Sequence, residues 1–337
     1  MSQRDDSGIT RRGFLAAGVA GGVGALLTGT LRGGEPPVTS PASPSTTPTA
    51  SAPAASAPTA SGRLIKKAIP ASGEWLPAIG LGTDAFKTDA SDEIRAEIAR
   101  MTELGGAVID TAAAYGDSES IIGEALEKQG LRERVFLATK LVGSASFGPA
   151  GAESYARSLE RLRTRRLDLL QVHNLNGVAD LIPQLLQWKQ ERLIRYLGVT
   201  TSRLSQHAEL ADVMRKYRLD FVQVDYSIAN RDAAATILPL AIERRIAVLV
   251  NLPFGRSSLF KQAAGKPLPP WAADIDVSSW AQFFLKYVIS HPAVTCAIPG
   301  STKVSHLEDN QGAGRGRVPD AAMRLRMEQY WDGQSTE

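Results

Sequence analysis

The chain has 337 residues and a mass of 36.0 kDa, room for two ordinary domains or for one barrel. Its residues are 43% hydrophobic and 22% charged, so most of it can build a packed core, and a net charge of +3 is too weak to argue for a nucleic-acid partner. The single cysteine, Cys296, excludes an intramolecular disulfide framework, and four scattered His add no zinc-ligand spacing.

The first residues carry charge, then Thr10-Arg-Arg-Gly-Phe-Leu15, then a Gly-rich apolar run from Phe14 to Leu27. That run is shorter than the ~20 residues needed to span a bilayer, and a charged start before a short apolar stretch reads as a signal segment. The paired arginines resemble a twin-arginine export signal, which implies contact with export machinery and a location outside the cytoplasmic membrane. The glycines here follow no strand and precede no spaced acidic residue, so they are no dinucleotide fingerprint. From Pro36 to Gly62 the chain is Pro, Ser, Thr and Ala with one Val and no charge. Such a segment cannot bury enough apolar surface to offset its ordering entropy. The organisation expected is a signal segment over 1–32, a disordered linker over 33–62 and a folded domain over 63–337. No Ala-x-Ala site directly follows the apolar run, so cleavage and an uncleaved membrane tether both stay open.

After Arg63 short apolar runs alternate with amphipathic stretches. The predicted strands are Ala78–Gly82, Ala107–Thr111, Val135–Thr139, Leu167–His173, Tyr196–Thr200, Phe221–Tyr226, Ala247–Leu252 and Val294–Pro299. Between them apolar residues recur at spacings of three and four, as in Asp92–Met101 and Leu210–Tyr217. Eight strand–helix units without a phosphate-binding glycine motif predict an α/β fold, a closed (β/α)8 TIM barrel. Cys296, flanked by apolar residues, reads as a buried small hydrophobe.

Barrel chemistry sits at the C-terminal strand ends. There the sequence supplies Asp110 and Thr111, then Lys140, then His173 and Asn174, then Gln223. Carbonyl reduction needs hydride from one face and a proton to the oxygen. Tyr is a weak acid, with a reference pKa of ~10, and a neighbouring ammonium lowers that value. A carboxylate holds the ammonium, and a neutral imidazole orients the carbonyl. Asp110, Tyr115, Lys140 and His173 supply these parts.

Asp110-Thr-Ala-Ala-Ala-Tyr-Gly116 resembles the aldo-keto reductase signature, Ala138-Thr-Lys140 its lysine strand and Leu169-Leu-Gln-Val-His173 its histidine strand. Gly80-Leu-Gly-Thr83 is similar to the family's first barrel strand, and Arg63 to Leu76 to the small hairpin at the barrel bottom. The resemblance runs from about Leu76 to Gly314. It implies that Tyr115 is the acid in reduction, that Lys140 depresses its pKa, that Asp110 pairs with Lys140 and that His173 points the substrate oxygen.

The resemblance also implies a nicotinamide cofactor, NADP with NAD as the alternative, reducing a small aldehyde or ketone. Gly82, Thr83, Asp110, Thr200 and Gln223 fall at its nicotinamide end, with Gln223 on the carboxamide. Gly198-Val-Thr-Thr201 stands where the family has G-V-S-N, so Thr201 lacks the usual amide. Asn251 stands where an aromatic residue stacks on the ring. Leu252, Pro253, Gly255 and Arg256 fall beside the pyrophosphate. Ser301 and Lys303 fit the 2′-phosphate, with His306 where Arg is frequent, and Asp309 and Asn310 match the adenine pair.

The long segment Lys261–Ser279, with Trp271, is a candidate substrate rim or a packed surface, and Val318–Trp331 reads as a last helix. The absence of a long C-terminal loop implies an open pocket, and a monomer is expected. Two other classes remain: a cofactor-holding sensor with vestigial catalysis, motivated by Asn251, and a barrel hydrolase using Asp110 and Asp225, opposed by Lys140 on the strand between them.

Overall fold

The computed structural model describes residues 62–141 and 149–334. The export signal and the spacer up to residue 61 lie outside the described residues. A hairpin comes first: β1 (Lys66–Ala68) pairs antiparallel with β2 (Trp75–Pro77). The barrel follows as β3 (Leu81–Gly82), α1 (Ser91–Glu103), β4 (Val108–Asp110), α2 (Ser118–Gln129), β5 (Phe136–Leu141), α3 (Pro149–Arg161), β6 (Leu167–Val172) and α4 (Val178–Gln190). It continues with β7 (Ile194–Thr200), α5 (His207–Lys216), β8 (Phe221–Asp225), α6 (Ile237–Arg244), β9 (Ala247–Asn251), α7 (Ser258–Ala263), α8 (Trp280–Ser290), β10 (Val294–Ala297), α9 (Val304–Ala313) and α10 (Ala321–Gln334).

Strands β3 to β10 are parallel neighbours in chain order, and the sheet closes on itself. At the seam Gly80 N donates to Ala297 O at 2.8 Å and Ala297 N to Ala78 O at 2.9 Å. The first strand is shorter than its apolar run because closure uses isolated bridges at Ile79 and Gly82 rather than a continuous ladder. Glycine is required at Gly82: a Cβ there would stand 2.7 Å from the Ile298 carbonyl oxygen.

Alternation along the strands divides the apolar side chains into two cores. One face packs against the helices. The other fills the barrel interior with Phe136, Leu169, Tyr196, Phe221, Leu249 and Cys296. Ile69 and Leu76 of the hairpin join that inner cluster, so the hairpin stops the bottom of the barrel with apolar side chains. The Phe136, Tyr196 and Phe221 rings lie 5.5–5.9 Å apart, and truncating Phe221 to Ala would cost about 3–5 kcal/mol. Tyr196 keeps its hydroxyl at the rim of this plug, within 2.8 Å of Ser72 Oγ and 2.7 Å of Glu74.

The segment after β9 is partly helical, with α7 and a turn of 3-10 helix over Pro270–Ile275. Trp271 is not a pocket wall. Its ring lies 5.9 Å from those of Phe283 and Tyr330, and the Arg326 guanidinium sits over it at 4.4 Å, so it packs α10 onto the barrel. Asp320 accepts from Met323 N at 2.8 Å and so caps α10, which ends three residues beyond Trp331.

Candidate active site

A cavity of about 700 Å³ opens at the C-terminal strand ends. Its lining includes Gly82, Thr83, Asp110, Tyr115, His173 and Thr200 on one side. Gln223, Asn251, Leu252, Pro253, Arg256, Ser301 and His306 line the other. Lys140 lies beneath this surface and is 1% exposed. Gly255, Lys303, Asp309 and Asn310 do not line the cavity wall.

The acid side is a chain of short contacts around Lys140, in which Gln171 Oε1 is buried without a partner. Lys140 Nζ donates to Asp110 Oδ2 at 2.5 Å and to Thr111 O at 2.9 Å, and stands 3.4 Å from Tyr115 Oη. Asp110 Oδ1 accepts from Gln171 Nε2 at 3.1 Å, and Thr83 Oγ1 donates to Asp110 O at 3.0 Å. Gln171, on β6 two residues before His173, was not singled out by the sequence; a polar side chain in register with His173 on the same strand face was the available signal. Burial pulls the Lys140 pKa down, but Asp110 and Tyr115 outweigh it and hold the ammonium above its usual range.

Tyr115 departs from expectation. Burial raises its pKa more than the Lys140 charge lowers it, and Asp110 adds to the rise, so the phenol lies above its ordinary value. The His173 ring meets the Tyr115 ring edge-on at 5.9 Å. Burial, with the nearby Lys140 charge, holds the imidazole down at about 4, so it is neutral at physiological pH.

The opposite side leaves buried polar atoms without partners. Asn251 Nδ2 donates to Thr201 O at 3.0 Å, which fixes the amide orientation and leaves Asn251 Oδ1 alone. Gln223 Nε2 is likewise buried and unpartnered, while Gln223 Oε1 lies 3.5 Å from Asn251 Nδ2. Thr201 itself is buried and absent from the lining, because its hydroxyl donates to Gln206 Oε1 at 2.7 Å. Two unmatched atoms, one donor and one acceptor, suit a primary carboxamide, which carries one of each.

Beyond β9 the backbone turns through left-handed conformations at Leu252, Gly255, Arg256 and Ser257 (φ 51°, 53°, 53° and 69°). Three of these are not glycine, a concentration of strain of the kind found at ligand-gripping loops. Ser301 Oγ accepts from Lys303 N at 3.3 Å just where the ten-residue α9 begins, so the positive end of that helix adjoins the Ser301 and Thr302 part of the cavity wall. Lys303 and His306 are exposed there. Asp309 is less free than the sequence implied: its two oxygens accept from Ser279 Oγ at 2.8 Å and from Gln282 Nε2 at 2.8 Å, tying α9 to the N-terminus of α8. The cavity wall also holds Asp84, Asn174, Phe254 and Thr302, which sequence reasoning had not assigned to the cofactor.

Asp225 does not form a second cavity carboxylate. It bonds His207 at 3.0 Å and Asn230 at 2.6 Å away from the lining, which removes the hydrolase alternative.

The sequence profile described as "Aldo/keto reductase family" matches residues 78–325. Methylglyoxal reductase YeaE of Escherichia coli (strain K12) is 31% identical over 258 residues, covering 73% of this chain and 88% of that protein. Among solved structures, an aldo-keto reductase from Klebsiella pneumoniae in complex with NADPH superimposes with a TM-score of 0.68 at 25% identity, covering 80% of this chain and 96% of that one. The holo form of an aldo-keto reductase from Bacillus halodurans shares the fold with a TM-score of 0.65 at 23% identity, over 80% and 96% of the two chains. The profile spans the hinge of the chemistry from Asp110 to His173 as well as the strand ends opposite it, and the chain belongs to the aldo/keto reductase family and is an oxidoreductase of that type.

Proposed function

We propose that this chain reduces a small aldehyde or ketone to an alcohol with NADPH, and that Tyr115 delivers the proton. The observation that carries the reading is the buried Asp110–Lys140 pair with its ammonium 3.4 Å from the Tyr115 hydroxyl at the cavity floor. The similarity to a methylglyoxal reductase supports a short, electrophilic carbonyl compound as substrate, and the similarity to an NADPH-bound reductase supports the cofactor.

The site's residues fit that cofactor. Gln223 Nε2 and Asn251 Oδ1 would take the two ends of the nicotinamide carboxamide, with Gly82, Thr83, Asp110 and Thr200 at the same end. Leu252, Pro253, Gly255 and Arg256 would flank the pyrophosphate. Ser301, Lys303 and His306 would meet the 2′-phosphate at the start of α9, with Asp309 and Asn310 near the adenine. When bound, the nicotinamide supplies the hydride.

The chain's own residues handle the proton. Neutral His173 donates a hydrogen bond that orients the substrate oxygen towards Tyr115. Burial keeps Tyr115 protonated at rest, the form an acid needs. As the carbonyl oxygen gains charge, Tyr115 gives up its proton to it. Lys140 then stabilises the tyrosinate left behind, and Asp110, held by Gln171, keeps that ammonium charged and in place.

Purified protein mixed with NADPH and methylglyoxal, then with a panel of aldehydes, tests the reading by loss of nicotinamide absorbance. Turnover abolished by Tyr115→Phe is the expected result. No hydride transfer to any carbonyl, with unchanged behaviour of Tyr115→Phe, would replace the enzyme by a cofactor-holding sensor. Export of the folded protein belongs to the same proposal and is supported by Thr10-Arg-Arg-Gly-Phe-Leu15.

A further inference from the structure

Parallel strands place every helix-to-strand connection at one end of the barrel, away from the cavity. The hairpin lies at that end too: Arg195 at the start of β7 pairs with Glu74, and Arg245 before β9 donates to Pro70 O at 3.0 Å. The hairpin (63–77) and the connections 100–107, 127–135, 160–168, 189–195, 215–220 and 243–246 hold nineteen Lys and Arg against nine Asp and Glu. The strand-to-helix segments around the cavity (82–91, 111–118, 173–178, 201–207, 226–237, 252–258 and 298–304) hold five against four. A chain of net charge +3 therefore carries an excess of ten positive charges on one face.

Much of that charge is unneutralised. Arg165, Arg166, Arg192, Arg218, Arg244 and Arg245 are exposed, and none has a carboxylate within ion-pair distance among the described residues. Large apolar side chains stand among them: Trp75 on β2 is 64% exposed, Ile242 53% and Leu193 37%. These three add nonpolar surface to the basic end of the barrel.

We infer that this face docks on an anionic phospholipid bilayer. Lys and Arg within a Debye length of an anionic leaflet, about 8–10 Å at moderate salt, are drawn to it. Trp75 has the amphipathic ring that settles at the headgroup level, and Ile242 and Leu193 add apolar surface to the same contact. The covalent path agrees: the chain joins this face at Arg63, and the sequence before it contains Arg11, Arg12 and the apolar run from Phe14 to Leu27. Docked in this way, the barrel points its cavity away from the lipid. Nucleic acid is the other polyanion, but it offers no apolar layer for Ile242 and Leu193.

The full chain should be sedimented with phosphatidylcholine vesicles prepared with and without phosphatidylglycerol, alongside a variant carrying Arg165→Glu, Arg166→Glu, Arg192→Glu and Arg218→Glu. Using the full chain throughout makes any partition through the N-terminal segment common to all samples. The parent should partition at least about tenfold more strongly onto the anionic vesicles, and this excess should vanish in the variant and at high salt while partition onto neutral vesicles is unchanged. Trp75→Ser, at a side chain that the fold does not bury, should lower anionic partition by about threefold and remove a blue-shifted component of the fluorescence. If the fourfold reversal lowers the thermal midpoint, the same four positions as Gln decide the question by loss of about half the excess or more. Retention of the excess in well-folded variants would overturn the inference. So would duplex DNA that, at equal phosphate, strips the parent from anionic vesicles, which would make the face a nucleic-acid surface.

Discussion

The two walls of the cavity differ in where buried polarity is left unmatched: at the charged pair itself nothing is missing, and only Gln171 Oε1 behind it lacks a partner. On the Tyr115 wall, Asp110 and Lys140 are matched by each other, by Gln171 and by the Thr111 carbonyl. On the facing wall, Gln223 Nε2 and Asn251 Oδ1 are buried with nothing to bond. A polar group that is satisfied within the fold is held ready before any ligand arrives; one left unsatisfied costs stability until a ligand completes it. On the proposed function, the first wall acts on the substrate and the second receives the cofactor.

Mutations can test that contrast wall by wall. The largest effect is expected from Tyr115→Phe: turnover with methylglyoxal should fall by about 10²- to 10⁴-fold while NADPH affinity, read by fluorescence titration, stays within about twofold. An equal loss of cofactor affinity would show that the two walls are not separate. Asp110→Ala comes next. It leaves the Lys140 ammonium buried and unpaired, so unfolding free energy in denaturant should drop by about 3–5 kcal/mol. Lys140→Met with Asp110→Ala together should recover much of this loss, since the double change removes both buried charges.

On the second wall the effects are smaller and fall on binding. Asn251→Ala should weaken NADPH by about tenfold, the worth of one buried hydrogen bond, and an acetylpyridine analogue lacking the carboxamide nitrogen should lose less on the same change. Equal losses for both ligands would detach Asn251 from the carboxamide. The smallest effect concerns pH. His173 and His291 are both held at about 4 in the fold, below the unfolded value of ~6.5. Between those values the unfolded chain binds more protons, so their stabilisation is full above about pH 6.5 and declines as pH falls towards 4. The thermal midpoint should drop over that window, and His291→Gln, outside the cavity, should flatten part of the slope. An unchanged slope in His291→Gln would assign the whole effect to other groups.

Much of this contrast could be read before folding was known, because the acid wall depends on residue types at fixed places. Asp110, Lys140 and His173 end three successive strands, and parallel pairing alone brings strand ends together. The cofactor wall was harder. Thr201 read as a lost contact, yet its carbonyl orients the amide of Asn251, a position that read as a lost stacking surface. Pattern matching treats the two departures independently; the β7–β9 neighbourhood across β8 makes them one arrangement. The sign of the Tyr115 shift was also out of reach, since it depends on how much water burial removes rather than on which charge is nearby. So was the basic end of the barrel. Apart from Arg161-Leu-Arg-Thr-Arg-Arg166 the Lys and Arg are spread along the sequence, and only the parallel topology stacks the connections on one face.

Among the described residues, the apolar stopper made by Ile69, Leu76, Phe136 and Tyr196 leaves the mouth at the C-terminal strand ends as the way into the cavity. Nothing can leave at the far end, so any two guests share one route. The Gln223 and Asn251 amides lie at the strand ends, on the wall facing Tyr115. A cofactor seated there and its co-substrate must then pass the same mouth, and product-inhibition patterns would display the order in which they do so.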